Sequence, residues 1–497
     1  MAAESRASID PLGDRLMRWC WISPPRDLAE RTRRRVAVHL LPVLFFLYIL
    51  AYLDRSNVAV AKLDMTRPTD QGGLGFSESI IGLGAGVFFW GYWLLEIPST
   101  LSVIRWGARY VFCRILVLWG LCAAVMGLIG MPVMQSWFAW MPVVSEQSNL
   151  FQLWGFSTLA RVWNGLATGS AEYQFYFWRF MLGFFEGGFF PSVIVYLTLW
   201  FRGQDRAKAI AVFMAAIPLS FVFGSPASGL IKDYVHWWGL PGWRWVYIIE
   251  GIVPVFTGIA VLFCLPNRPE NVSWLSADER AWLSGELAAE AAAKKGHGHF
   301  EWVHHLGMVL LLTGFYFCQN VMSYGLSNFL PTILKSQAGL KQGEDFKATL
   351  LTAGVAAISL LGMLVNGWHS DHRRERVWHV AVPIALAGAG LLLAGWTYDW
   401  PALNLMVIAL CVGPFLYMHL PAFWPIPSMF LGTTAAASAI GFINMMGNLG
   451  GHFGPALVGV AADAAKNADG SPRFDSALRM LGPWGFVAAA LILTGAW

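Results

Sequence analysis

Charge is scarce in this chain. Asp, Glu, Lys and Arg make up 13% of its 497 residues, hydrophobic residues make up 56%, and the mean hydropathy is +0.52. A soluble globular protein carries about 25% charged residues. A deficit of that size implies that most of the surface meets lipid, so the useful unit is the membrane span. Other absences narrow the function. No GxxxxGK[ST] loop is present to cradle a phosphate, so ATP is not the expected energy source. HExxH and the serine nucleophile elbow are missing too, so an enzyme is not expected, and neither is a cofactor. No basic run interleaved with aromatics marks a nucleic-acid surface. The six cysteines (Cys20, Cys113, Cys122, Cys264, Cys318 and Cys411) are scattered without metal-ligand spacing, and read as free thiols with no metal site. The first apolar run is too long for a signal-peptide core and lacks a small-residue cleavage site, so it reads as a permanent span.

What is abundant fits a bilayer: 51 Gly, 34 Phe and 26 Trp. Glycine lets transmembrane helices approach closely, and tryptophan favours the headgroup boundary. Apolar runs near the roughly 20 residues that cross a bilayer fall at 37–61, 78–101, 110–130, 173–201, 209–231 and 245–265. They resume at 306–334, 349–368, 379–397, 402–430, 434–461 and 480–497. The expected fold is all-α and integral to the membrane, with twelve transmembrane helices in two pseudo-symmetric six-helix bundles. Its parts are an N-terminal tail (1–36), a first bundle (37–265) with an outer insertion (131–172), a linker (266–304) and a second bundle (305–497). The last run stops at Trp497 with no polar tail, which fits either a short twelfth span or a chain cut inside it.

Positive charge sets the orientation. With the N-terminus inside, the tail and the loops after spans two, four, six and eight carry 21 Lys and Arg, against 11 on the other side. Both termini are therefore expected in the cytoplasm of a multi-pass protein of the inner or plasma membrane. In the linker, Ser276 and Glu279 form a capping box that opens a surface helix. His297, His299, His304 and His305 lie beyond it without metal-site spacing, so the segment reads as a solvated connection. The halves echo each other: FGSPASG (223–229) parallels HFGPALVG (452–459), as a parallel repeat would.

A charge in mid-span costs about 2.5–3.5 kcal/mol on insertion scales, unless it faces a watery cavity or a partner. Span one holds Asp54 and Arg55; span four holds Arg179 and Glu186. Adjacent helical residues diverge by about 100°, so Asp54 and Arg55 must look elsewhere for partners. Arg179 and Glu186 share a face but stand about 10 Å apart along the axis, too far to bond. An arginine fork suits a carboxylate. A carboxyl moved between apolar and aqueous surroundings exchanges its proton. The strip therefore fits an anion path, with Arg55 and Arg179 as clamp and Glu186 and Asp54 as proton sites. The same four residues also fit a structural network that fixes helix packing. Glu96 and Glu250 are expected to pair with loop arginines. Tyr92 is a candidate for the cavity wall, Gln319, Asn320 and Tyr324 for substrate contacts, and Asn444 and Asn448 for either ligand or interhelical bonds. His419 fits an inert histidine better than a titrating one.

The segments DRSN (54–57), GVFFWGYWLLEIPS (86–99), RFMLGFFEGGFFPSVIVYLTLWF (179–201), GWRW (242–245) and FWPIPSMFLGTTAAASAIGFINMMGNLGG (423–451) resemble the anion:cation symporter family of the major facilitator superfamily, in particular its tartrate, phthalate and hydroxyphenylacetate permease branch. The likeness runs over nearly the whole chain. It implies alternating access and proton-coupled movement of a small organic anion by a monomer. It places substrate binding and proton coupling on Asp54, Arg55, Arg179 and Glu186, and adds Tyr52. The loop after span two departs from the superfamily's usual signature: RWGAR keeps its Gly and Arg but has no acid. An antiporter or exporter, suggested by the glycine–proline pairs at 224–226 and 454–455, and a transporter-like nutrient sensor are the alternative functions.

Overall fold

A computed structural model describes residues 27–143, 157–293, 301–431, 433–467 and 470–495. Every regular element among them is helical, apart from one isolated bridge between Lys466 and Pro472. Ten helices are long and apolar enough to cross a membrane. In chain order these are α1 (Leu28–Met65), α2 (Glu78–Trp106), α3 (Ala108–Met126), α4 (Ala171–Thr198), α5 (Lys208–Tyr234), α6 (Gly242–Cys264), α7 (Val303–Ser327), α8 (Asp345–Arg373), α9 (Val377–Trp396) and, after the next two crossings, α12 (Asp475–Thr494).

The crossings expected at 402–430 and 434–461 are broken helices. The tenth, α10, has an α-turn segment Pro401–Val407, a π segment Ile408–Val412 and short helical pieces Leu420–Phe423 and Pro427–Phe430. Prolines 414, 421, 425 and 427 remove the backbone donors a continuous helix would need. The eleventh, α11, runs as Thr433–Gly447 and Gly450–Ala464.

The two halves meet along α2 against α11 and α5 against α8. Small residues permit the close approaches. A Cβ on Gly82 would stand 2.3 Å from the Pro455 carbonyl oxygen, and one on Gly183 would stand 1.9 Å from that of Phe88. The first fixes the seam between halves; the second seats α4 on α2 and so positions Arg179 and Glu186.

Helix α1 starts nine residues before the apolar run, because the Arg-rich stretch is helical and docks on the linker. Arg31 donates to Asp278 at 2.8 Å and to Glu279 at 2.9 Å, and Arg35 donates to Glu279 at 2.7 Å. The linker helix Ala277–Ala293 also takes Arg202 on Glu286 at 2.8 Å and Arg206 on Glu290 at 3.3 Å. The segment expected to be a solvated connection is therefore strapped to the first half by ion pairs. Half of the capping box forms: the Ser276 N–H donates to Glu279 at 2.9 Å, while the Ser276 hydroxyl turns to Asp278. His304 and His305 sit in the 3-10 turn that opens α7, whereas His297, His299 and Cys20 lie outside the described residues. The insertion 131–172 contributes helices Pro132–Phe138 and Ser157–Ala167, and its last two residues already belong to α4.

Candidate functional site between the halves

Helix α4 breaks immediately after Glu186. The regular turns end at Glu186, Gly187 is non-helical, and Gly188 takes φ +86°, a conformation open to glycine, before the helix resumes at Phe189. The break leaves Glu186 fully buried and facing α1, where Arg55 Nε donates to it at 2.6 Å. Arg55 Nη1 reaches across to the Tyr324 hydroxyl of the second half at 3.3 Å. Its guanidinium lies over the rings of Tyr52 at 5.0 Å and Tyr92 at 4.9 Å. Arg179, two turns from Glu186, donates to the Gly84 carbonyl at 3.2 Å. Both guanidinium groups stand over the Phe88 ring, at 5.5 and 5.2 Å. The arginines thus share one aromatic floor without a direct Arg179–Glu186 bond, as the seven-residue spacing requires.

Asp54 points away from this strip, into the first half. Trp119 of α3 donates to one oxygen and Asn57 donates to the other at 3.2 Å. Trp119 is fully buried, and sequence reasoning missed it; a lone indole inside an apolar run was the available signal. Two expectations need correction. Glu96 and Glu250 pair with no loop arginine. Glu250 accepts from Ser228 of α5 at 2.5 Å, and Glu96 accepts from Asn444 of α11 at 2.6 Å. Both acids are held by neutral side chains of neighbouring helices instead, and Arg114, which comes within about one turn of Glu96, is engaged by Ser99.

Tyr92, Tyr324 and Asn444 therefore gather round Arg55 and Glu96. Asn448 does not: it accepts from Asn320 at 3.3 Å inside the second half. Gln319 donates to Ser323 of its own helix at 3.0 Å. His419 is buried against the Phe315 ring at 5.5 Å. Among the described residues, buried polar atoms around the seam without a hydrogen-bond partner include Arg55 Nη2, Arg179 Nη1, Glu186 Oε2, Tyr92 OH, Glu96 Oε2 and Trp424 Nε1. Buried donors and acceptors are normally satisfied, so this cluster is an unusual concentration of unmet polar groups.

The end of the molecule remote from the linker is shut. Asp345 at the start of α8 receives Lys232 of α5 and Lys335, and Arg67 approaches it at 3.8 Å. Lys232 also contacts Asp64 at 2.9 Å. Asp463 of α11 caps the first turn of α2, accepting from the N–H groups of Glu78 at 3.1 Å and Ser79 at 2.7 Å. None of these pairings was foreseen from sequence.

A family model described as Major Facilitator Superfamily matches residues 150–455. The chain belongs to the Major Facilitator Superfamily. It is accordingly a multi-pass membrane transporter and not an enzyme. A protein of Agrobacterium vitis named for tartrate transport is 34% identical over 91% of this chain and 93% of its own length. The "Quinolone resistance transporter" of Acinetobacter baumannii is 31% identical over 92% of this chain and 94% of its own. Among solved structures, the inward-open xylose transporter XylE from E. coli aligns with TM-score 0.65 at 16% identity, over 93% of this chain and 96% of that one. That likeness carries the fold alone.

Proposed function

We propose that this transporter moves a small organic anion, a carboxylate, together with protons by alternating access. The observation that carries the reading is Arg55. It stands at the seam of the halves, bonded to one carboxylate and one phenol, with a free guanidinium nitrogen beside unsatisfied Arg179, Tyr92 and Glu186 atoms. A carboxylate arriving there competes with Glu186 for Arg55, and a proton on Glu186 releases the guanidinium to the substrate. Binding of anion and of proton then favour each other, which is what symport needs. Asp54, tied to Trp119, assists from within the first half, and Tyr52 shapes the aromatic wall. The relative named for tartrate transport supports a carboxylate. The lysine and arginine bias supports a plasma or inner membrane location with the linker end and both termini in the cytoplasm.

The test is Glu186→Gln in proteoliposomes, with tartrate as first probe among mono- and dicarboxylates. Proton-driven accumulation is expected to vanish while exchange counterflow remains measurable. Accumulation equal to wild type would overturn the assignment. A second reading, an exporter, draws on the relative named for quinolone resistance; the direction of flux against an imposed pH gradient separates the two.

A further inference from the structure

The middle of the first half holds more acid than the reading above uses. Asp54, Glu96, Glu186 and Glu250 are all buried there, and among the described residues the cations beside them are Arg55 and Arg179. The spans of the second half carry no Asp, Glu, Lys or Arg at mid-depth. If all four carboxyls were ionised, the region would be net −2 and would repel an anion. With Glu186 alone ionised it is net +1. A buried carboxylate lacking a cation is costly, whereas the neutral acid needs only ordinary hydrogen bonds. With two guanidinium groups to balance four carboxyls, at least two carboxyls hold protons in this conformation, and the question is which of them can exchange.

Asp54 and Glu250 are bound to partners within the first half, Trp119, Asn57 and Ser228. Glu96 differs. One oxygen accepts from Asn444 of the second half at 2.6 Å, so its hydrogen bond crosses the seam, whereas that of Glu250 to Ser228 stays within the first half; the other oxygen of each acid is buried with no hydrogen-bond partner among the described residues. The groups facing it are Tyr92 from its own helix, Arg55 from α1, which is held by Glu186, and Asn444 from α11. The next cation along, Arg114 of α3, is engaged by the Ser99 hydroxyl at 2.9 Å. Glu96 lies one helical turn beyond Tyr92 toward the linker, so parting the halves at that end breaks its bond to Asn444 and admits water.

We propose that Glu96 is a second proton-carrying carboxyl of the transport cycle, protonated while it bridges to Asn444 and deprotonated when the halves part at the linker end. This rests on the anion–proton reading. The proton sits on Oε2, the carbonyl oxygen Oε1 keeps the Asn444 N–H, and on opening the proton passes to water. With Glu186 as the other carrier, at least two protons accompany each anion.

Two measurements on the full chain in lipid vesicles test it. Infrared difference spectra between acid and alkaline pH should show a titrating carboxylic C=O band. Glu96→Gln should delete that band, and Asn444→Ala, which removes the donor, should shift it to higher frequency. In reversal-potential measurements with tartrate, Glu96→Gln should lower the proton:tartrate ratio by one. The Asn444→Ala shift keeps the test alive should Glu96→Gln fold poorly, and the infrared arm needs no substrate. Wild-type and Glu96→Gln spectra that are identical across the pH range would overturn the proposal. Failure of the parent reading shows separately, as wild-type accumulation by Glu186→Gln.

Discussion

The closed end remote from the linker offers a quantitative handle on alternating access. Asp345 is its hub, receiving Lys232 and Lys335 with Arg67 at 3.8 Å. Replacing it by Asn removes the charge at nearly constant volume. A unit charge pair at about 3 Å is worth about 5 kcal/mol at an effective dielectric near 20, and breaking a buried pair costs about 3–5 kcal/mol net. Lys232 keeps Asp64 at 2.9 Å, so the net loss should fall to about 2–3 kcal/mol. At 1.4 kcal/mol per tenfold, the closed population should drop by a factor of about 30–150 relative to the state open at that end. Spin labels on Asp70→Cys and Lys341→Cys, exposed positions on either half, would report this as a shift to longer distances in pulsed-dipolar spectra of a background lacking the other cysteines. Asp345→Glu, which keeps the charge, should retain the short distance. An unchanged distribution for Asp345→Asn in a folded protein would refute the reasoning, since it would mean that the ion pairs do not hold the halves together.

Two further outcomes follow from the same geometry. Trp119→Phe leaves one Asp54 oxygen buried without its donor, at a cost of about 1–3 kcal/mol; it should lower the melting temperature by several degrees, and an unchanged melting temperature would show that Asp54 does not depend on the indole. Burial works against the Glu279 charge, but hydrogen bonds from Ser276 and the guanidinium groups of Arg31 and Arg35 outweigh it and hold this carboxyl below its usual value of 4.5. A depressed acid stabilises its contacts above that ordinary value and loses them as pH falls through the lowered one. Amide protection in Ala277–Ala293, relative to the unstructured rate at each pH, should therefore stay high at neutral pH and be lost in acid, below the ordinary 4.5; protection that is insensitive to acid would sever the strap from Glu279.

The mid-membrane charges were legible because each is costly where it stands, and Arg55, Arg179, Glu186 and Asp54 all appear in the structure at buried positions. Helical geometry alone foretold that Asp54 and Arg55 would part company. Their partners were not legible. Glu96 meets Asn444 across 348 residues of chain, and Lys232 meets Asp345 across 113. Such pairs depend on how one bundle is rotated against the other, which no local periodicity encodes. The break at Gly187–Gly188 and the proline-rich course of α10 do have local causes. Glu96 was misjudged because depth along α2 was read from the nearest loop: a carboxyl one turn from Tyr92 belongs with the buried groups around Arg55 rather than with the loop cations.

The distribution of charge also says which end should open more readily. At the remote end the halves are joined by full ion pairs, Lys232 and Arg67 to Asp345, backed by the Asp463 cap on α2. At the level of Arg55 and toward the linker they are joined by a charged or ionisable side chain of the first half against a neutral one of the second, Arg55 to Tyr324 and Glu96 to Asn444. A hydrogen bond to a charged group contributes about 1.5–3 kcal/mol net, and one between neutral groups about 1 kcal/mol. The seam toward the linker is thus the weaker of the two, the more so because the Glu96 that bridges to Asn444 is, on our proposal, a neutral acid. Loss of that proton to water once the linker end parts would keep this seam open while leaving the remote pairs intact. That asymmetry lets the state of one carboxyl bias which gate yields, with the acids and guanidinium groups of the first half setting the charge and the amide and phenol of the second half reading it.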